Sequence, residues 1–317
     1  MYSGQEVKKL TALVTGALGH IGSGLIRNFN GNQIEKIRLL DNLESQRYPS
    51  LFNLSTDFEY EFIEGDIREV ELEKILSGVD MVIHLAALTD AANSAERAEE
   101  VMAVNLEGLK RIAQACEESN IPILFPSTTS VYGSQERQVD ETCTELKPQS
   151  PYAESKLLAE QYLSGLKIKG LKFVVCRLGT IFGPSVGMRF HTAVNKFIWQ
   201  AVTRQPITVW KTAWEQKRPY LDLKDCIKAI NYIIDKQIFD GEIYNVVTSN
   251  YTVKQVVETI QKFIPDCKVT FVDSPIMNQL SYEIEGKKFK NMGFVSSGDL
   301  EKGIAETINQ FKSINQQ

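Results

Sequence analysis

The chain is poor in the features that would tie a protein to a metal, a membrane or a nucleic acid. Its 317 residues hold five cysteines, Cys116, Cys143, Cys176, Cys226 and Cys267, scattered and without a Cys-x-x-Cys pair. That argues against a disulfide framework or a zinc site. The three histidines, His20, His84 and His191, are too dispersed to suggest a metal motif, so no metal is expected. No uncharged apolar run approaches the roughly 20 residues of a membrane helix. The stretch Met1–Lys9 is polar and lacks the apolar core of a signal peptide. A cytoplasmic protein without membrane contact is the expectation. A net charge of −5 gives no hint of binding to nucleic acid or anionic lipid. Internal repeats, low-complexity tracts and obvious linkers are missing too.

What is present is an ordinary globular composition, 43% apolar and 24% charged. The length suits one large α/β domain with an elaborated second lobe, or two modest domains. Short apolar runs at Ala12–Val14, Ile37–Leu40, Phe58–Ile63, Met81–Leu85, Ile123–Phe125 and Phe173–Cys176 read as strands. Helix-length segments lie between most of them, at Ile21–Asn30, Glu71–Leu76, Ala95–Ser119 and Tyr152–Leu166. This alternation predicts a parallel, doubly wound sheet covered on both faces. After Gly183-Pro184 the regularity breaks. A helix at Thr192–Thr203 precedes strands near Ile207–Val209 and Pro219–Leu221. A helix at Asp225–Asp235 then leads to a strand, Ile243–Val246, expected back in the main sheet. Helix Val253–Phe263, strand Val269–Val272 and a last helix near Asp299–Phe311 complete the chain.

The first strand runs into Thr15-Gly16-Ala17-Leu18-Gly19-His20-Ile21-Gly22. Gly16 permits a tight turn, Gly19 lets backbone approach a phosphate, and Gly22 lets the following helix pack on the strand. The unpaired amides where that helix begins, at His20 and Ile21, suit an anionic pyrophosphate. Glycine turns also close strand–helix units that bind nothing, so residues further on must decide. Asp41, beside Asn42, ends the second strand 19 residues after Gly22. That is the distance at which a carboxylate accepts hydrogen bonds from an adenosine ribose, and it would repel a 2′-phosphate. NAD is therefore favoured over NADP. The plainer alternative is that Asp41 caps a turn with Asn42. Arg47, in the loop beyond, reads as solvated.

A second motif, Ser150-Pro151-Tyr152-Ala153-Glu154-Ser155-Lys156, reads as a helix start. Residues four apart share a helix face, so Tyr152 and Lys156 project together. A phenol with pKa near 10 is a poor base at neutral pH. A neighbouring ammonium and an oxidised nicotinamide would stabilise the phenolate, letting Tyr152 take a proton from a substrate hydroxyl.

With its Gly-x-x-Gly-x-x-Gly turn, Asp41 and Tyr-x-x-x-Lys pair, the chain resembles the extended short-chain dehydrogenase/reductases, in particular their nucleotide-sugar-modifying, UDP-glucose 4-epimerase-like branch. The likeness runs from about Lys9 to Phe311 and is densest before Pro184. It implies a Rossmann-type α/β fold with a smaller, interleaved C-terminal substrate lobe. On that pattern residues 1–183 and about 225–247 form the NAD domain, while 184–224 and 248–317 form the substrate lobe. By resemblance Asp66 and Ile67 contact the adenine, and Leu85, Ala86 and Ala87 line the cofactor channel. By the same resemblance Asn105 is counted among the cofactor-binding residues and orders the helix beneath the active site. Thr128 supplies the hydroxyl beside Tyr152, with Thr129 next to it at the substrate. Arg218 grips the substrate pyrophosphate, and Thr180 stands where many relatives carry a substrate-contacting Asn. A second pyrophosphate arginine is missing from Asn278-Gln279-Leu280-Ser281-Tyr282, with Arg189 as a substitute. His191 falls near a catalytic histidine of the GDP-fucose synthases. A homodimer through Ala95–Ser119 and Tyr152–Leu166 is the family's common assembly.

The residues after Thr128 narrow the reaction. Relatives that dehydrate nucleotide sugars carry an Asp-Glu pair there, and decarboxylating ones a Glu. Here Thr129 and Ser130 are hydroxyls. Oxidation at C4 remains, either with the hydride returned, as in a 4-epimerase, or with the ketone released, as in a 4-dehydrogenase of a hexose or heptose. A non-catalytic NAD sensor or scaffold is the alternative from another class.

Overall fold

The fold is taken from a computed structural model, which describes residues 9–31, 33–91, 94–273 and 282–314. The first part of the chain alternates as expected. Strand β1 (Leu10–Thr15), helix α1 (His20–Leu25), β2 (Ile34–Asp41) and β3 (Glu59–Glu64) come first. Helix α2 (Leu72–Leu76) and β4 (Met81–His84) follow, then α3 (Ala98–Met102) and α4 (Gly108–Glu118). Strand β5 (Ile123–Thr128), α5 (Pro151–Lys167) and β6 (Phe173–Leu178) complete it. Beyond lie β7 (Thr180–Phe182), α6 (Ala193–Val202), β8 (Ile207–Trp210) and β9 (Lys217–Asp222). Helix α7 (Leu223–Lys236) leads to β10 (Ile243–Val246), β11 (Ser249–Thr252) and α8 (Val253–Phe263). The last elements are β12 (Val269–Val272), α9 (Lys287–Asn291) and α10 (Leu300–Asn309).

Seven strands form one parallel sheet in the order β10-β6-β5-β4-β1-β2-β3. The order reverses between β1 and β4, and ligands of open parallel sheets bind beyond the carboxyl ends at such a point. Strand β10 joins the sheet edge beside β6, in register from Ile243 against Val175 to Val246 against Leu178. Alternate strand residues feed two cores. Val14, Ile37, Ile83 and Val174 pack with α1 and α7 on one face, while Leu13, Val82, Phe125 and Val175 pack with α4 and α5 on the other. A third core joins Phe182, Val194, Phe197, Val209, Val256 and Ile304 between α6, α8 and α10. It lies in the late part of the chain and serves two small sheets, β11-β9-β7 and β12-β8.

Two helices differ from expectation. The segment read as a helix over Ile21–Asn30 is helical only to Leu25. There Arg27 Nη1 donates to Ser23 O at 2.9 Å and Asn28 Nδ2 to Gly24 O at 2.8 Å, so side chains satisfy carbonyls near the helix end. The Ala95–Ser119 segment becomes helical at Ala98 and contains a π-helical turn, Ala103–Glu107, between α3 and α4. Asn105 sits in that wider turn, of a kind that recurs at functional sites.

Candidate active site

A cleft with two adjoining parts lies at the carboxyl ends of the strands, with volumes of about 330 and 640 Å³. The smaller part is floored by the glycine turn between β1 and α1. Gly16 has φ of +64°, and a Cβ there would stand 2.7 Å from Ala86 N, so only glycine lets the two segments meet. Gly19 is different. Beyond Gly16 O at 3.3 Å, its Cβ would next meet only Arg47 Nη1, at 4.0 Å, which leaves its backbone open to the cleft. His20, Ile21 and Gly22 line the larger part.

Asp41 caps its own turn and also lines the cleft. Its carboxylate accepts hydrogen bonds from Leu18 N and Leu43 N, both at 3.0 Å. A carboxylate has about four acceptor sites, so capacity remains for a ribose diol. Asn42, Ile67, Ala86 and Asp66 share this part with it, and the carboxyl of Asp66 is held down to about 2 by Arg68. Leu85 and Ala87 line both parts. A floor without side chains for phosphates and a carboxylate at the second strand end fit a dinucleotide.

The larger part holds the tyrosine and lysine. Ser150 Oγ accepts from Ala153 N at 3.2 Å and Pro151 is the first helical residue, which fixes where α5 begins. Tyr152 and Lys156, one turn apart, both line the cleft. Lys156 Nζ donates to Pro126 O at 2.9 Å and lies 4.5 Å from the centre of the Phe125 ring. Burial pushes the lysine down to about 7, and the charge of Glu160 opposes that. Burial pushes the Tyr152 phenol up, opposed by the charge of Arg189 and by the Thr128 hydroxyl. The charge of Arg189 therefore favours the phenolate, a part the sequence reading gave to Lys156.

Thr128 Oγ1 accepts from Ser130 N at 3.2 Å and lines the cleft. Thr129 was expected at the substrate, but its hydroxyl donates to Leu178 O and meets the Tyr282 hydroxyl, each at 3.3 Å. It is buried away from both parts, and Ser130 lines the larger one instead. The cause is the 3₁₀ turn Thr129–Tyr132, which rotates successive side chains by about 120°. From the later part of the chain come Thr180, Arg189, His191 and Arg218. Arg218 Nε is buried without a partner among the described residues, while Nη2 donates to Gln216 Oε1 at 3.5 Å. Burial lowers His20 and His191 to about 4 and His84 to about 3, so all three are uncharged at neutral pH.

The NAD dependent epimerase/dehydratase family matches residues 12–246. The chain belongs to this family. It is accordingly an enzyme, and its cofactor is NAD. Over 242 residues it is 31% identical to an uncharacterized UDP-glucose epimerase of Bacillus subtilis (strain 168), covering 74% of this chain and 75% of that one. A UDP-N-acetylglucosamine 4-epimerase from Methanobrevibacter ruminantium M1, solved with UDP-N-acetylmuramic acid, is 26% identical. It superposes with a TM-score of 0.86 over 97% of this chain and 99% of that one. The fold is shared with a UDP-glucuronic acid 4-epimerase from Bacillus cereus, solved with UDP-glucuronic acid and NAD. That pair is 22% identical and reaches a TM-score of 0.88 over 96% and 100% of the two chains.

Two residues, Asn105 and Arg47, stand elsewhere than the sequence suggested. Asn105, expected at the cofactor, lines neither part of the cleft. Its Oδ1 accepts from Leu88 N at 2.8 Å and its Nδ2 donates to Ser155 Oγ at 3.1 Å, tying the loop after β4 to α5. Arg47, read as solvated, is half-buried on the cofactor part of the cleft. No periodicity marks a loop arginine that folds back, so sequence reasoning had no signal for it. His84, buried at the end of β4, lines the cleft with Nδ1 bound to Thr15 Oγ1 at 2.9 Å and Nε2 without a partner among the described residues. The segment 278–281, where a second arginine was sought, lies outside the described residues.

Proposed function

We propose that this enzyme is a 4-epimerase of a nucleoside diphosphate-linked sugar, working through a transient 4-keto intermediate. The observation that carries this reading is the surroundings of Tyr152. Thr128 and Lys156 line the cleft with it, while the two positions after Thr128 bear hydroxyls, one turned away. Asp90 is the only carboxylate lining the larger part among the described residues. Dehydration or decarboxylation of a sugar calls for an acid or base at those two positions, and none stands there.

NAD held by the glycine turn and Asp41 would supply a hydride acceptor for the sugar carbon and the hydride for its return. Tyr152 takes the proton of the C4 hydroxyl and returns it, while Thr128 holds the same oxygen. Lys156, fixed on Pro126 O, favours the phenolate by its charge. Arg218, with its unpartnered Nε, is suited to a substrate diphosphate, because its planar fork pairs with phosphate oxygens. Thr180, Arg189 and His191 line the room left for the sugar. The uridine nucleotides named for the Bacillus subtilis and Methanobrevibacter relatives support a UDP-sugar. We read 1–183 with 225–247 as the cofactor lobe, 184–224 with 248–317 as the substrate lobe, and the assembly as a homodimer.

The test is to incubate the protein with a panel of UDP- and other nucleotide-linked sugars, following both NADH absorbance and sugar configuration. Isomerised product without net NADH is the expected result. NADH accumulating with a keto-sugar would replace the reading by a 4-dehydrogenase. Copurified NAD with no turnover of any sugar would favour a non-catalytic sensor.

A further inference from the structure

Glu160 is a buried acid that the reaction described above leaves unused. It follows Lys156 by four residues on α5, as Lys156 follows Tyr152, so phenol, ammonium and carboxylate lie in one row along the helix. Lys156 and Glu160 are both buried, where a charge is costly unless another charge or a polar partner meets it.

Arg177 and Ser127 fix the carboxylate. From β6, Arg177 Nε donates to Oε1 at 3.0 Å and Nη2 to Oε2 at 2.6 Å, and from β5 Ser127 Oγ donates to Oε1. Arg177 in turn faces the Tyr132 ring, its Cζ 4.8 Å from the ring centre, and the Tyr132 hydroxyl donates to Asn245 Oδ1 of β10 at 2.9 Å. Three strands thus hold one carboxylate against α5. Ser127 also follows Pro126, whose carbonyl accepts from Lys156.

Stability is a weak reason for such an arrangement, because a buried ion pair can often be replaced by apolar residues at no cost. The place of the acid beside Lys156 supplies a stronger one. Around the ammonium stand Tyr152 and Glu160 on α5, His84 at the end of β4 and the Phe125 ring on β5, with Arg177 on β6 behind the carboxylate. Burial holds His84 at about 3, so it brings no charge at neutral pH, and from the lobe the charge of Arg189 reaches Tyr152. Burial pushes Lys156 down to about 7, and the charge of Glu160 opposes this.

We propose that Glu160 is a positioning residue for the reaction, whose fixed carboxylate keeps the buried Lys156 ammonium charged and so available to the Tyr152 phenolate. The proposal rests on the role given to Lys156 above and adds the group that sustains it. Arg177 and Ser127 act one step further out, by holding that carboxylate in place.

The full chain is isotopically labelled at lysine Cε, and the titration of Lys156 is followed by carbon NMR, assigned against Lys156→Met. Glu160→Gln keeps the shape of the acid but not its charge. Combined with Arg177→Met it removes both charges and leaves neither unpaired. In that double variant urea unfolding is expected near wild type, while Lys156 loses its proton about one pH unit or more lower. The sign follows from the charge, since an ammonium without its counter-charge gives up its proton more readily. Turnover of the UDP-sugar that the wild type accepts therefore falls most above neutral pH and least below it. Ser127→Ala leaves the charge in place, and its Lys156 titration stays within about half a unit of wild type. An unchanged Lys156 titration in the stable double variant would overturn the proposal and leave Glu160 to the fold alone. An equal shift in Ser127→Ala would overturn it too, because charge would then not be the cause. Full turnover by Lys156→Met would instead remove the role of Lys156 itself, and with it the purpose of Glu160.

Discussion

The two walls of the cleft are built on opposite terms. On the sheet side, most polar groups already have partners within the protein. Asp41 accepts from two backbone amides, Lys156 donates to Pro126 O, and Asn105 bridges Leu88 and Ser155. On the lobe side, Arg189 has no hydrogen bond or ion pair among the described residues and Arg218 Nε none. A satisfied group holds its geometry without a ligand, as positioned chemistry requires. An unpaired buried cation costs free energy until an anion arrives, as binding requires. The sheet wall is therefore organised for the reaction and the lobe wall for holding charged ligands.

The widest separation between the walls should come from Tyr152→Phe. Turnover is expected to fall by about 10²–10⁴-fold with NADH affinity retained, since only proton transfer is removed. Parallel steady-state kinetics and NADH titration measure both. Full turnover in this variant would end the assignment of Tyr152 as the base. Next comes the sheet wall's support. Glu160 pairs with Arg177 at 2.6 Å, each side chain under 5% exposed, and Ser127 donates to the same carboxylate. Glu160→Gln leaves Arg177 buried without its counter-charge and should cost about 3–5 kcal/mol in urea unfolding. A loss below about 1 kcal/mol, the scale of surface pairs, would mean that water reaches the pair. The smallest effect belongs to the lobe. Arg218→Met should raise KM for the nucleotide sugar about 10–100-fold with kcat nearly intact, because one charged hydrogen-bonding group is lost. If kcat fell instead, the two walls would not divide the work as described.

How far the residues announced this arrangement differs between the walls for a physical reason. Gly16, Gly22, Ser150 and Pro151 each serve a local backbone need, so their positions mark the turn and the start of α5 directly. Tyr152 and Lys156 share a face by helical spacing alone. Thr129 and Ser130 could not be sorted by spacing, because the 3₁₀ turn that separates them forms against β6 and Tyr282. Arg47 and Arg189 lie 142 positions apart in the sequence and have no local pattern. Segment 183–192, hydrogen-bonded to α1, carries Arg189 to the part of the cleft that Arg47 lines. The short α1 was also illegible, since its end depends on where Arg27 and Asn28 direct their side chains.

The sequence alone determined the parallel sheet, the glycine turn, the carboxylate after the second strand and the tyrosine–lysine pair. These follow from periods of two to four residues and from backbone conformations that few residues tolerate. Tertiary structure alone decided which hydroxyl after Thr128 meets the cleft, that the charge of Arg189 reaches the Tyr152 phenol, and that two distant arginines line one part of the cleft. Those outcomes depend on long-range packing of the late chain against the first turn of the sheet, where burial and like charge act between segments that no local spacing connects.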